Sequence, residues 1–310
     1  MRTKLGFAIL STTLTAFLVF SGYIQAVHAQ EQKSSFAVSP PSFEFNANPG
    51  DQITNVIKVE NLSDNPMKIA TRAENFVAYG NGGQVSLTED RTSYSIDTWI
   101  TIDQKEAVIQ PRESKVFKFI VNVPKNTEPG SHYGAVVFST VASADSTTNG
   151  ANIQQEIGAL ILIKVPGDVI EQINLDSFKS AEQFYQGTNF NFSFLLGNEG
   201  TVHIKPNGFI YIKDLFGNTL KTITIEGKNI LPGSKRLFSE ADSFENVGLY
   251  RAELELFYKD GQKVLRGETQ FWALNLQRTA PILVGFIVLI LFYLVFRKRI
   301  NKAVKVILKG

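Results

Sequence analysis

Three histidines and no cysteine are all the imidazole and thiol that the 310-residue chain offers. His28, His132 and His203 stand far apart. His132 precedes a strand-like run, and His203 falls in a loop before Ile204-Lys205-Pro206. A lone histidine in such a place is expected to be a surface or turn residue, not a metal ligand. Without cysteine there is no thiol nucleophile and no thiolate metal site. No HExxH, glycine-rich phosphate loop or GxSxG pattern occurs. Paired carboxylates could hydrolyse a glycoside. The nearest clusters are Glu89-Asp90 and Glu240-Ala241-Asp242. Both read as polar turns between strands, where acidic residues serve solubility. The side-chain types thus predict no catalytic residue, no cofactor and no metal, in a protein that is not an enzyme. A wall hydrolase is the least favoured reading.

Aromatic residues are the other candidate feature, with 24 phenylalanines. Phe117-Lys118-Phe119 and Phe190-Asn191-Phe192-Ser193-Phe194 alternate them with polar residues. That period of two puts the rings on one face of a strand, where they form the core of a sandwich. Trp99 and Trp272 read as structural, with lipid headgroups as the alternative for Trp272.

These residues are carried on strands. From Ser34 onward, short runs with partial period-two alternation follow one another. They are separated by Pro40-Pro41, Asn48-Pro49-Gly50-Asp51, Asn61 to Pro66 and Gly80-Asn81-Gly82-Gly83. No convincing amphipathic helix lies between Ser34 and Leu276. The expected fold is all-β: two tandem immunoglobulin-like β-sandwiches, over 34–166 and 168–275, meeting at Val165-Pro166-Gly167-Asp168. Seven strands are expected in the second. The small, polar stretch 143–153 reads as a long hairpin loop.

The halves share punctuation in the same order, which predicts a repeated unit. Glu60-Asn61-Leu62-Ser63 answers to Gly197-Asn198-Glu199-Gly200. Ile109-Gln110-Pro111-Arg112-Glu113-Ser114 answers to Ile230-Leu231-Pro232-Gly233-Ser234. Pro129-Gly130 before Tyr133 answers to Val247-Gly248 before Tyr250. The first half is the longer, enlarged by an excursion around Tyr79 to Ile102.

The chain ends fix the compartment. Arg2 and Lys4, an apolar run from Leu5 to Phe20, and Val27-His28-Ala29 form a signal-peptide pattern over 1–29, with cleavage between Ala29 and Gln30. Ala280 to Phe296 is an uncharged apolar run. At 1.5 Å per residue it makes a helix of about 25 Å, the short end of a membrane span. The basic cluster Arg297, Lys298 and Arg299 follows, and the positive-inside rule keeps 297–310 in the cytoplasm. The expected location is a single-pass cell membrane protein with its sandwiches outside. Setting aside Arg2, Lys4 and the six basic residues after Phe296 leaves 23 basic residues against 29 acidic ones. The exported part is therefore acidic and a poor partner for nucleic acid.

With this architecture in place, the chain resembles the WxL-interacting proteins of Gram-positive bacteria. The resemblance lies in Phe36-Ala37-Val38-Ser39-Pro40, Asn48-Pro49-Gly50-Asp51, Val59-Glu60-Asn61, Val123-Pro124 and Pro129-Gly130. In the second half it lies in Asn198 to Gly208 and Ile230 to Ser234. It implies a non-enzymatic surface protein whose first domain binds peptidoglycan or another wall polymer. The second, host-binding-like domain would hold a secreted WxL-type protein or a host protein, and the C-terminal helix would hold the membrane. It assigns no ligand-binding residue. The alternative is an assembly or chaperone-like factor whose open sandwich edge accepts a partner's strand.

Overall fold

The structure, a computed structural model, describes residues 35–141, 154–186, 189–243, 247–274 and 276–309, with helix side chains from Thr279 to Arg297. The signal-peptide and cleavage readings at Ala29 and Gln30 and the loop reading for 143–153 lie outside the described residues. So do the side chains of Lys298 and Arg299.

The first sandwich contains β1 (Phe36–Ser39), β2 (Ser42–Asn46), β3 (Gln52–Asn61), β4 (Met67–Tyr79), β5 (Gln84–Thr88), β6 (Ile100–Ile102), β7 (Glu106–Ile109), β8 (Ser114–Asn122), β9 (Gly130–Thr140) and β10 (Glu156–Val165). One sheet runs β1-β3-β8-β6. The other runs β2-β10-β9-β4-β5, with β7 also paired to β4. Alternation in the sequence becomes two inner faces. Ile57, Val59, Phe117, Phe119 and Val121 pack against Ile69, Val136, Phe138, Ala159, Ile161 and Ile163. Each fully buried side chain of this size contributes about 1.5–3 kcal/mol.

The second sandwich contains β11 (Ile173–Ser180), β12 (Phe184–Tyr185), β13 (Asn189–Asn198), β14 (Asn207–Lys213), β15 (Thr219–Ile225), β16 (Lys235–Ser243), β17 (Gly248–Tyr258) and β18 (Lys263–Ala273). Its sheets run β11-β13-β16 and β12-β18-β17-β14-β15. Phe190, Phe192, Phe194 and Phe238 fill its core against Ile210, Ile212, Leu254 and Phe271. Eight strands stand where the sequence suggests seven. The additional one, β12, has two residues, too few for any alternation to be read. Among the described residues the only helical turn before Leu276 is a 3-10 turn at Asp97–Trp99. Helix α1 then runs Leu276–Lys309, and its Thr279–Arg297 portion is long and apolar enough to cross a membrane.

The two sandwiches repeat one topology. In each, the first strand pairs antiparallel in one sheet, and the next crosses over to pair parallel with the last strand of the other sheet. These are β1–β3 and β2–β10 in the first, and β11–β13 and β12–β18 in the second. A buried asparagine ties the same knot in both. Asn61 Nδ2 donates to Asn65 O (2.8 Å) and Ile109 O (3.1 Å), while Oδ1 accepts from Ser63 N (2.9 Å). Asn198 Nδ2 donates to Val202 O and Ile230 O (both 2.8 Å), and its Oδ1 accepts from Gly200 N (2.8 Å). Backbone bonds from Asn61 N to Glu113 O and from Asn198 N to Ser234 O complete each knot. The excursion after Tyr79 supplies β5, the 3-10 turn and β6. Its Tyr94, Val85 and Leu87 pack on the outward residues Tyr133, Ala135 and Val137. That is why β9 is buried along both faces.

Candidate functional site

The histidines are not surface residues. His132 lies on β9 and is 6% exposed, its ring 5.0 Å from that of Trp99. Its Nε2 meets Glu128 O at 3.0 Å, and its buried Nδ1 has no partner among the described residues. His203 is 7% exposed. Its backbone N donates to Ser131 Oγ (2.7 Å), and the Ser131 hydroxyl meets its Nδ1 at 2.6 Å. Ser131 N in turn donates to Thr201 O at 3.0 Å. Burial, aided by the nearby Lys164 charge, lowers the His203 pKa to about 4. The ring is therefore neutral at pH 7, with Nδ1 accepting the Ser131 proton. His132, expected just before a strand, lies on β9 itself beneath Trp99, and His203 was misplaced because its loop was expected to face water. Here the loop is covered by the other sandwich, an event 72 residues distant in the chain.

A serine hydroxyl against an imidazole has the parts of a nucleophile and its base. Ser131 is 0% exposed, however, and its oxygen already accepts the His203 N–H. No substrate carbonyl can reach it, so the pair is a structural clasp. The carboxylate clusters also stay apart from any such chemistry. Glu89 and Asp90 follow β5 and are exposed. Glu240 and Asp242 lie on β16, not in a turn as the sequence suggests, because an edge strand tolerates polar residues on the side that Phe238 shares. Asp242 is held by Lys221 at 2.6 Å. Burial raises the Glu240 pKa. Trp99 is partly buried against the first core. Trp272 faces outward on β18, 42% exposed and stacked on Phe184. Among the described residues, no three His, Asp or Glu side chains are grouped to hold a metal ion.

What the fold does bring together is a seam between the sandwiches. Glu44 of β2 receives Lys205 Nζ at 3.1 Å and Asn229 Nδ2 at 2.7 Å. Burial by itself would raise the Glu44 pKa, but the hydrogen bonds from Asn229 and Lys205 outweigh it and hold the carboxyl below its ordinary value. Lys164 pairs with Glu171 at 3.3 Å. Leu231, 7% exposed, docks among Phe76, Tyr133 and Leu162 on the outer face of the first sandwich.

Beside this seam lies a cleft of about 310 Å³. The β4–β5 hairpin roofs it. Asn81 O, at the hairpin tip, accepts from Leu237 N of β16 at 2.6 Å, so the tip reaches the second sandwich. Gly83 has φ +77° and lies so close over the Arg236 guanidinium that a side chain there would collide with it. Arg236 Nη1 donates to Asn229 O at 2.7 Å. Burial lowers the Arg236 pKa. Phe76, Val85, Leu160, Leu162 and Leu231 supply the apolar lining. Ser42, Glu44, Ser234, Lys205, Lys228 and Lys235 add the polar part of the lining. The arrangement can bind, through apolar contact and a fixed cation.

Residues 24–140 match the family model described as WxL Interacting Protein, peptidoglycan binding domain. No curated protein sequence matches the chain. Similar solved structures include the class 5 fimbriae chaperone CfaA, at 15% identity and TM-score 0.40 over 76% of this chain and 98% of that one. The E. coli chaperone DraB is 13% identical, with TM-score 0.37 over 78% and 96%. The CsuC–CsuE chaperone–tip adhesion subunit complex of Acinetobacter baumannii is 11% identical, with TM-score 0.35 over 78% and 100%. The family match, over residues 24–140, falls on the first sandwich from β1 to β9.

Proposed function

We propose that this is a non-enzymatic, membrane-anchored surface protein whose first sandwich contacts peptidoglycan and whose second holds a protein partner. The observation that carries the reading is the family match over 24–140, described as a peptidoglycan-binding domain. The exposed apolar helix Thr279–Arg297 fits a single-pass anchor. In this reading the first domain spans 34–166, the second 168–275 and the membrane segment Ala280 to Phe296. Residues from Arg297 onward face the cytoplasm, and the sandwiches stand in the wall zone.

Sedimentation of the full chain, in detergent micelles, with purified peptidoglycan tests the wall contact. Co-sedimentation above that of an unrelated single-pass sandwich protein is expected, and its absence would discard the reading. For the partner, one observation favours strand capture. β16 is nine residues long and pairs only with β13, its outer edge meeting the first sandwich at Leu237 alone among the described bonds. Crosslinking from an edge position such as Ser239 to secreted proteins is the corresponding assay, and a partner captured equally from Thr222 on β15 would remove β16 from the account.

A further inference from the structure

We propose that the cleft between the sandwiches receives the free C-terminal carboxylate of a short peptide, with Arg236 as the group that binds it. The choice of peptide rests on the wall-binding reading, since wall polymers carry short peptides that end in small residues. The cleft's chemistry stands independently of that reading.

The argument begins with a charge imbalance. Two neighbouring lysines lining the cleft have carboxylates of their own: Lys205 has Glu44 at 3.1 Å and Lys235 has Asp176 at 2.7 Å. Arg236 has none among the described residues. Its single described hydrogen bond goes to a backbone carbonyl, Asn229 O. The guanidinium is half-buried beneath Gly83, and its lowered pKa follows from lost hydration with no anion to offset it. Such a cation lowers stability until an anion arrives. The hairpin also fixes its position, because Asn81 O is bonded to Leu237 N, one residue along. With Nη1 engaged, Nε and Nη2 remain, and together they form the side of the fork that receives both oxygens of a carboxylate.

The rest of the cleft says what the carboxylate is attached to. Its volume of about 310 Å³ lies at the small end of ligand sites. Phe76, Val85, Leu160 and Leu162 line it with apolar surface, suited to small aliphatic side chains. Lys228, whose Nζ lies 5.8 Å from the Phe238 ring centroid, adds a second positive charge at the rim. A small apolar peptide end with a free carboxylate matches all three properties.

The test is calorimetric titration of the full chain in detergent with acetyl-L-Lys-D-Ala-D-Ala and with its C-terminal amide. The free acid should bind and the amide should bind at least about tenfold more weakly. Arg236→Gln should lose the preference for the acid. Arg236→Lys, which keeps the charge and loses the fork, should retain a reduced preference. Equal binding of acid and amide by the unaltered chain would overturn the proposal even if Arg236→Gln fails to fold. So would unchanged acid binding in a folded Arg236→Gln, or inorganic phosphate displacing the acid at lower concentration than acetate does. Peptidoglycan sedimentation separates the two readings. A chain that sediments with the wall and ignores the free acid refutes the cleft site alone. A chain that binds the acid through Arg236 and does not sediment upholds the cleft and refutes wall binding.

Discussion

The two asparagine knots are the same piece of structure put to different uses. In the first sandwich the knot faces solvent. Gln110, one residue after the Ile109 carbonyl that Asn61 holds, is exposed. In the second sandwich the equivalent residue is Leu231, buried against the first sandwich. The loop closed by Asn61 ends in Pro66 before Met67, which pairs with Ile109. The loop closed by Asn198 ends in His203 before Ile204, which pairs with Ile230, and His203 is clasped to Ser131. The backbone solution is common to both. Only the outward residues differ, and in the second sandwich they make the seam. A repeated unit can thus acquire an interface by exchanging the residues around a knot while the knot itself stays fixed.

The largest effects should come from the knots themselves. Asn61 is 0% and Asn198 2% exposed, and each amide satisfies at least two backbone carbonyls. Truncation to Ala strands those carbonyls at about 1–3 kcal/mol apiece, so each variant should lose about 3–4 kcal/mol in urea unfolding. A large loss in one variant and almost none in the other would break the equivalence.

Acid should separate the sandwiches next. His203 titrates at about 4 in the folded chain against an ordinary 6.5. Above pH 6.5 it is neutral in both folded and unfolded chains and adds no pH dependence. As pH falls from 6.5 towards 4, the unfolded chain takes up a proton that the folded one refuses, and stability declines. Below 4 both are protonated and the decline stops. At roughly 1.4 kcal/mol per pH unit the loss is about 3 kcal/mol at most. Urea midpoints of the parent and His203→Gln should converge as pH drops through this interval. Parallel curves would show that the clasp does not depend on a neutral ring. Pro66, at the matching place in the first sandwich, cannot titrate.

Leu231→Gln gives the second knot the residue that the first one carries. Losing one buried leucine contact should cost about 2 kcal/mol. The loss should fall on the seam, so calorimetry should resolve two unfolding transitions in place of one. A single transition, merely lowered, would mean that the clasp at His203 and the hairpin contact at Asn81 couple the sandwiches without Leu231.

These contrasts also mark what sequence can convey. The strands were legible because Phe190-Asn191-Phe192-Ser193-Phe194 states its buried face in its own alternation. The repeat was legible because Ile109-Gln110-Pro111 and Ile230-Leu231-Pro232 close their knots with local turns. The seam was not legible. Ser131 and His203, or Glu44 and Asn229, meet only after two sandwiches have formed, across 72 and 185 residues. Arg236 gave no signal at all, because its neighbour Gly83 reads as a turn glycine. Glu240 and Asp242 misled for the opposite reason: this edge strand carries polar residues on its half-buried face as well as its exposed one, and so has the composition of a turn.

The smallest effect is the sharpest comparison. Arg112 and Gly233 occupy one position in the two knots, and both have left-handed backbones, φ 61° and φ 68°. For arginine that conformation costs about 1–2 kcal/mol, whereas glycine adopts it freely. Arg112→Gly removes the strain but adds about 0.5–1 kcal/mol of unfolded-chain entropy. It also loses the pair with Asp64, at 2.8 Å but widely exposed on both sides and worth less than about 1 kcal/mol. These nearly cancel, so the urea midpoint should stay almost unchanged. Gly233→Ala meets no steric contact, because nothing lies within 4 Å of the added carbon. Its cost is therefore the backbone's alone, about 1 kcal/mol. The two results together measure the knot's conformational demand free of side-chain contacts. A Gly233→Ala loss well above that figure would mean that the second knot is held more rigidly than the first, because it is docked.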